Sequence, residues 1–212
     1  MSKIITQTMR CAVCGQESVQ QVPLSRYVPD MGLDQKPIAS KLSFALECPY
    51  CHYVAGNLST TVTEQTKAYV LSQAYQDWAI HQETPALRRL EGAAKIAEQN
   101  QEPAAAASHW LTAAWYCEDN HLADRARIDR EKAVQIIEST PALKLTPAQM
   151  LSYIDSLRQL KRFDRAAQVA QRVEQGFLQN LGSDHLLTKI LQTELALLQK
   201  SDATPHLVSE VK

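Results

Sequence analysis

Two short motifs hold the residues best able to do chemistry in this chain. Cys11-Ala12-Val13-Cys14 and Cys48-Pro49-Tyr50-Cys51 are both C-x-x-C pairs. Four soft thiolate donors in two such pairs match a closed tetrahedral metal site, with zinc the expected ion and iron the alternative. A two-residue spacer lets one tight turn aim both sulfurs of a pair at a common point. Disulfides and a redox dithiol are the competing readings. A reducing compartment disfavours disulfides. A redox C-x-x-C normally opens a helix in a βαβ setting, and neither pair does so here. The expected ligands are therefore Cys11, Cys14, Cys48 and Cys51. The expected Zn2+ is structural, since four cysteines leave no position for a catalytic water, and its removal should unfold residues 1 to 60. His52 follows Cys51 directly. Consecutive residues rarely point at one ion, so His52 reads as a surface or supporting residue.

The elements that must position these sulfurs are short. Thr6–Arg10 leads into the first pair, and Gly15 after it permits a sharp turn that brings amides to the sulfur. Ser18–Val22 alternates as a strand would, and so does Leu42–Glu47, which delivers Cys48. Tyr53–Gly56 then closes a small hairpin. Between the pairs lie 33 residues (48 − 14 − 1), punctuated by Pro23, Pro29, Gly32 and Pro37. That exceeds the commonest spacing of about 15–20, so the insert reads as an elaborated loop. Strand, knuckle, loop, strand, knuckle is the order of a zinc ribbon, expected over residues 1–62.

From Thr63 the texture becomes helical. The spacing predicts a first helix from Thr63-Glu64 through Ala68, Leu71, Tyr75, Trp78 and Ala79. Thr84-Pro85, Glu102-Pro103 and Thr146-Pro147 place proline in a first turn and open further helices. Another helix carries Ala123 to Ile137, and two more run over Asp164–Phe177 and Asp184–Lys200. Trp110, Ala114 and Cys117, followed by Ala126 and Ala133, are matched 40 residues later by Met150, Ile154 and Leu157, followed by Ala166 and Val173. Small residues where paired helices cross are the packing logic of tetratricopeptide-type hairpins. The expected fold is thus mainly α: a small N-terminal zinc ribbon of short β hairpins, then stacked α-helical hairpins of tetratricopeptide-like type over 63–200, then a flexible tail over 201–212.

Composition narrows the function. A formal net charge of −1 removes the usual electrostatic argument for nucleic acid or anionic membrane as main partner. No apolar run approaches the roughly 20 residues of a membrane span, and Met1–Thr6 lacks the apolar core of a signal peptide, so a cytoplasmic location is expected. The basic residues Arg125, Arg127, Arg130, Lys132, Arg158, Lys161, Arg162, Arg165 and Arg172 concentrate in the later helices. They read as solvated faces with internal Asp–Arg pairs. No Ser-His-Asp spacing, phosphate-binding glycine loop or H-E-x-x-H helix is present. His81, His109, His121 and His185 are scattered, and Cys117 reads as a small core residue. An enzyme is not expected.

Taken together, the N-terminal knuckle, the insert, Cys48-Pro49-Tyr50-Cys51-His52-Tyr53-Val54-Ala55 and the helical stretches Trp110–Tyr116 and Leu160–Ala166 resemble the bacterial domain-of-unknown-function family 2225, over about Met9 to Gln175. Departures are His52 where the family usually has glycine, and an insert without the additional cysteine of family members. The resemblance implies a fold and a zinc site, not a reaction. The expected function is a non-enzymatic, structural-zinc-containing adaptor that binds a protein or peptide. The alternative is a nucleic-acid-binding ribbon, with Tyr50 and Tyr53 available to stack on bases.

Overall fold

The structure is a computed structural model that describes residues 4–23, 30–38, 45–82, 84–178 and 185–211. Two antiparallel hairpins open the chain. β1 (Ile4–Arg10) pairs with β2 (Glu17–Pro23), Arg10 lying opposite Glu17, and β3 (Leu46–Glu47) pairs with β4 (Val54–Ala55). Each hairpin turn holds one C-x-x-C pair. The segment Thr6–Arg10, read as a lead-in, is thus part of a strand; Leu42–Phe44 of the expected second strand lie outside the described residues.

The described remainder is helical: α1 (Glu64–Val70), α2 (Gln73–Ile80), α3 (Pro85–Gln99), α4 (Pro103–Asp119), α5 (Ala123–Ser139), α6 (Pro147–Gln159), α7 (Phe163–Val173) and α8 (Leu186–Gln199). The chain is therefore mainly α behind a small β piece. The single helix expected from Thr63 to Ala79 is two. Ser72 has extended backbone, its hydroxyl accepts from the Tyr75 amide, and it donates to the Tyr69 carbonyl at 2.6 Å, so it caps α2 and ends α1. Proline starts α3, α4 and α6 as expected, and Thr146 with Gln149 forms a full capping box. α7 passes into a π turn over Glu174–Leu178. Asp184, expected to start the last helix, lies outside the described residues.

The chain groups into two compact units: Met1–Tyr27 with Lys41–Thr140, and Val28–Ser40 with Pro141–Lys212. In the first, one core runs from the hairpins into the helices. Met9, Leu46, Tyr53, Val54 and Leu58 are buried with Val70, Tyr75, Ala79, Ala93 and Ile96. In the second, the insert supplies residues 30–38. Gln35 donates to the Ala148 carbonyl and to Ser152, and Gly32 bridges to Leu207. The C-terminal segment has no periodic apolar face, yet backbone bonds hold it. Leu33 donates to the His206 carbonyl and Val208 to that of Met31.

The 40-residue offset recurs in backbone geometry. His121, Lys161 and Ser201 each follow a helix cap with φ of 60°, 59° and 52°. Behind each, the next amide closes the turn: Leu122 onto Cys117, Arg162 onto Leu157, Asp202 onto Leu197, at 2.8 to 3.0 Å. The spacing is 161 − 121 = 40 and 201 − 161 = 40. α3 ends in the same way, with Gln101 at φ 60° and the Glu102 amide on Ala97 at 2.9 Å, so the turn is shared by four helices and α8 is the third member only at the 40-residue spacing.

Its middle position departs from the pattern. Glu194 stands where α4 has Ala114 and α6 has Ile154, and it is fully buried. Arg158 answers it. Its Nε donates to Glu194 at 2.9 Å, a terminal nitrogen bonds Asp155, and another donates to the Asp202 and Thr204 carbonyls at 2.7 and 2.8 Å. One guanidinium thus faces two buried carboxylates. Burial, then the Asp155 charge, push the Glu194 carboxyl well above the usual carboxylate range. A raised carboxyl stabilises the fold fully below its ordinary value of 4.5, and that contribution is lost as pH rises through the raised value. Stability should therefore fall as pH is raised from 5 through neutrality toward the raised value. Glu194→Gln should flatten that slope in denaturant titrations run across pH.

Candidate metal centre

The two knuckles are built alike. In the first, the Gly15 amide donates to the Cys11 carbonyl at 2.9 Å and the Cys11 amide to that of Gln16 at 2.8 Å. In the second, His52 donates to Cys48 at 3.0 Å and Cys48 to Tyr53 at 2.9 Å. The residue after each pair turns left-handed, with φ of 74° at Gly15 and 56° at His52. Two identical turns, facing one another, bring Cys11 Sγ to 3.7 Å from Cys51 Sγ and Cys14 Sγ to 3.6 Å from Cys48 Sγ. All four sulfurs lie within 4.8 Å of one another.

Those distances fit a metal and exclude a disulfide. A bonded pair would sit at about 2.05 Å. A tetrahedron with metal–sulfur bonds of about 2.3 Å has sulfur–sulfur edges of about 3.8 Å. Charge gives the same answer. Cys11, Cys48 and Cys51 are buried and Cys14 is partly so. Burial raises the Cys48 and Cys51 thiols above their ordinary value, against the amides of Tyr50 and Cys51 at Cys48 and that of Tyr53 at Cys51. At Cys14, burial is outweighed by the Gln16 amide and the neighbouring thiols, and its pKa falls. Four thiolates cannot coexist there without a cation, and a divalent ion deprotonates coordinating thiols outright. The sequence-expected ligands Cys11, Cys14, Cys48 and Cys51 are all brought together. They can hold a metal ion with no coordination position left open.

Residues invisible to motif reading support the second knuckle. A non-glycine residue in the left-handed region costs about 1–2 kcal/mol, and His52 is fastened there on two sides. Its Nδ1 meets Glu47 Oε1 at 2.8 Å, and its carbonyl accepts from the Tyr75 hydroxyl at 2.9 Å. Glu47 also accepts from Arg88 Nε at 2.5 Å, and Gln76 donates to the Cys51 carbonyl at 2.8 Å. α2 and α3 thus hold the knuckle directly. Ala12 donates to the Leu58 carbonyl at 2.8 Å, tying the first knuckle to the chain after the second. Polar side chains from three elements, β3, α2 and α3, do this work, and no spacing within one segment announces it.

Tyr53 is in the core, 4% exposed, which leaves Tyr50, 60% exposed at the knuckle tip, as the ribbon's accessible aromatic of the two. Of the basic residues, Arg127, Lys161 and Arg172 are exposed and Arg125 and Arg158 pair with Asp129 and Asp155 on their own helices, as expected; Arg125, Arg130 and Arg158 also meet Glu91, Glu118 and Glu194 across helices. Cys117 is fully buried, and burial with the Asp129 charge pushes its thiol up to about 12, so it stays protonated. Among the described residues, no helix is long and apolar enough to cross a membrane.

No family model, no curated protein and no solved structure matches the chain. The resemblance to family 2225 therefore rests on its sequence motifs alone.

Gly15→Ala meets open space, the nearest atom being Arg10 Nη2 at 3.9 Å, so its cost is conformational: about 1–2 kcal/mol in denaturant unfolding of the metal-loaded protein. A strong chelator should lower the thermal midpoint of the wild type and release one ion per chain. Cys48→Ser should purify with less metal and show no further response to chelator.

Proposed function

We propose that the four-cysteine cluster holds a structural zinc ion and that the protein is a non-enzymatic adaptor whose helices bind a protein or peptide. The observation that carries this is the closed ligand set: four sulfurs with no open position can fold a segment but cannot present a water or substrate to the metal. The role of the ion is then to fix the two hairpins against α1–α3, whose core they share. Helical hairpins in series expose extended faces suited to a peptide or a partner surface. The 40-residue recurrence of helix ends supports reading these helices as divergent tetratricopeptide-like repeats, and the cytoplasm is the matching reducing compartment.

The alternative is a nucleic-acid-binding ribbon, favoured by exposed Tyr50 beside the metal ligands. Residues 1 to 62 carry five Lys/Arg against four Asp/Glu, which gives little attraction for phosphate.

Affinity purification from a native extract, with and without nuclease, on wild type and Cys48→Ser, separates the two. The adaptor reading expects specific proteins that survive nuclease. Co-purifying nucleic acid, with every protein lost on nuclease treatment, would sink it in favour of the ribbon.

A further inference from the structure

The first unit contains a cleft of about 490 Å³ between α3, α4 and α5. Lys95 and Glu98 line it from α3, Lys132, Gln135 and Ile136 from α5, with Trp110 beneath. The two lysines that line it each rest on an indole ring. Lys132 Nζ stands 3.6 Å from the Trp110 ring centroid, and Lys95 Nζ stands 5.1 Å from that of Trp78. Lysines on a helix surface are ordinarily mobile, solvated point charges. Here two indole faces fix them in place, an attraction that strengthens as water is removed.

The charges in the cleft are unequally matched. Lys132 pairs with Asp129 at 3.3 Å. Glu98 accepts from the Trp110 indole N–H, and Glu91 is bound by Arg125. Among the described residues, no carboxylate lies within ion-pair distance of Lys95. Lys95 is half-buried, and burial, then the Lys132 charge, lower its pKa against the weaker pull of Glu91 and Glu98. An incoming carboxylate would supply the countercharge that burial has made costly to lack.

We propose that this cleft binds an acidic peptide segment, one carboxylate meeting Lys95 and Lys132 and a neighbouring apolar side chain resting on Ile136. The proposal rests on the adaptor reading above and names its partner's chemistry. The cleft is far larger than an inorganic oxyanion needs. With Glu98 at its edge and a net charge of −1 on the chain, it offers a nucleic acid no extended phosphate track.

The test is calorimetric titration of the full chain with a short synthetic peptide alternating glutamate and leucine, beside its glutamine counterpart and a short single-stranded oligonucleotide. Tryptophan emission is followed in parallel, since both lysines rest on indole rings. The acidic peptide should bind at least about tenfold more tightly than the glutamine peptide, the difference a single charge pair of about 1.4 kcal/mol makes. Lys95→Gln should remove that preference and Lys95→Arg should keep it, both with wild-type circular dichroism. Equal affinity for the two peptides, an unchanged Lys95→Gln, or tighter binding of the oligonucleotide overturns the proposal. A partner protein that co-purifies equally with wild type and Lys95→Gln overturns this cleft as the docking place and leaves the adaptor reading standing. Absence of any specific protein overturns the adaptor reading itself.

Discussion

Four sulfurs in a buried space within 4.8 Å of one another are a demand for positive charge. As thiols they have only weak S–H contacts with one another, at 3.6 and 3.7 Å across the pairs; as thiolates they repel. A divalent ion would resolve both at once, and the first unit is arranged so that its position would be over-determined. Matching turns supply the same backbone bonds on either side, and α2 and α3 grip the second turn through Tyr75, Gln76 and the Glu47–Arg88 pair. The core that surrounds the sulfurs also buries Val70, Ala79 and Ile96. Stability that a bound ion would add is therefore passed into the helices by packing rather than confined to two hairpins.

The helices use a second device, the buried ion pair. Asp129 is wholly buried; burial and the Glu91 charge push its carboxyl up to about 6, with Lys132 and Arg125 opposing. Glu194 and Asp155 share Arg158 in the second unit. Such groups are poor stabilisers because desolvation offsets much of their attraction. Their geometry points to specificity instead. The Arg158 guanidinium on α6 donates to Glu194 of α8 and to the Asp202 and Thr204 carbonyls, so it ties the C-terminal segment to both helices.

Much of this was legible in the residues. C-x-x-C spacing is a local property, and it located all four candidate ligands because a single turn determines where both sulfurs of a pair point. Proline and threonine at helix starts were equally readable, since capping is satisfied within four residues. What failed to show was non-local or equivocal. Leu71-Ser72 sits inside a good helical period, and only the hydroxyl's choice of the Tyr69 carbonyl and Tyr75 amide divides α1 from α2. The support of His52 comes from Glu47, Tyr75 and Arg88 on three elements. The internal Asp–Arg pairs expected of the basic run are present at Arg125–Asp129 and Arg158–Asp155, but the cross-helix partners Glu91, Glu118 and Glu194 of Arg125, Arg130 and Arg158 stand at positions that no charge count connects to them. The third 40-residue member was hidden because its middle position carries Glu194 rather than a small or apolar residue.

The most direct measurement of the central claim is X-ray absorption at the metal edge of the protein purified without added metal. Zinc bound by four sulfurs at a single distance of about 2.3 Å, with no nitrogen or oxygen neighbour, is the result expected. A spectrum that needs a nitrogen or oxygen ligand would open the coordination sphere and return catalysis to consideration, and a protein that carries no metal at all would contradict the metal-dependent fold.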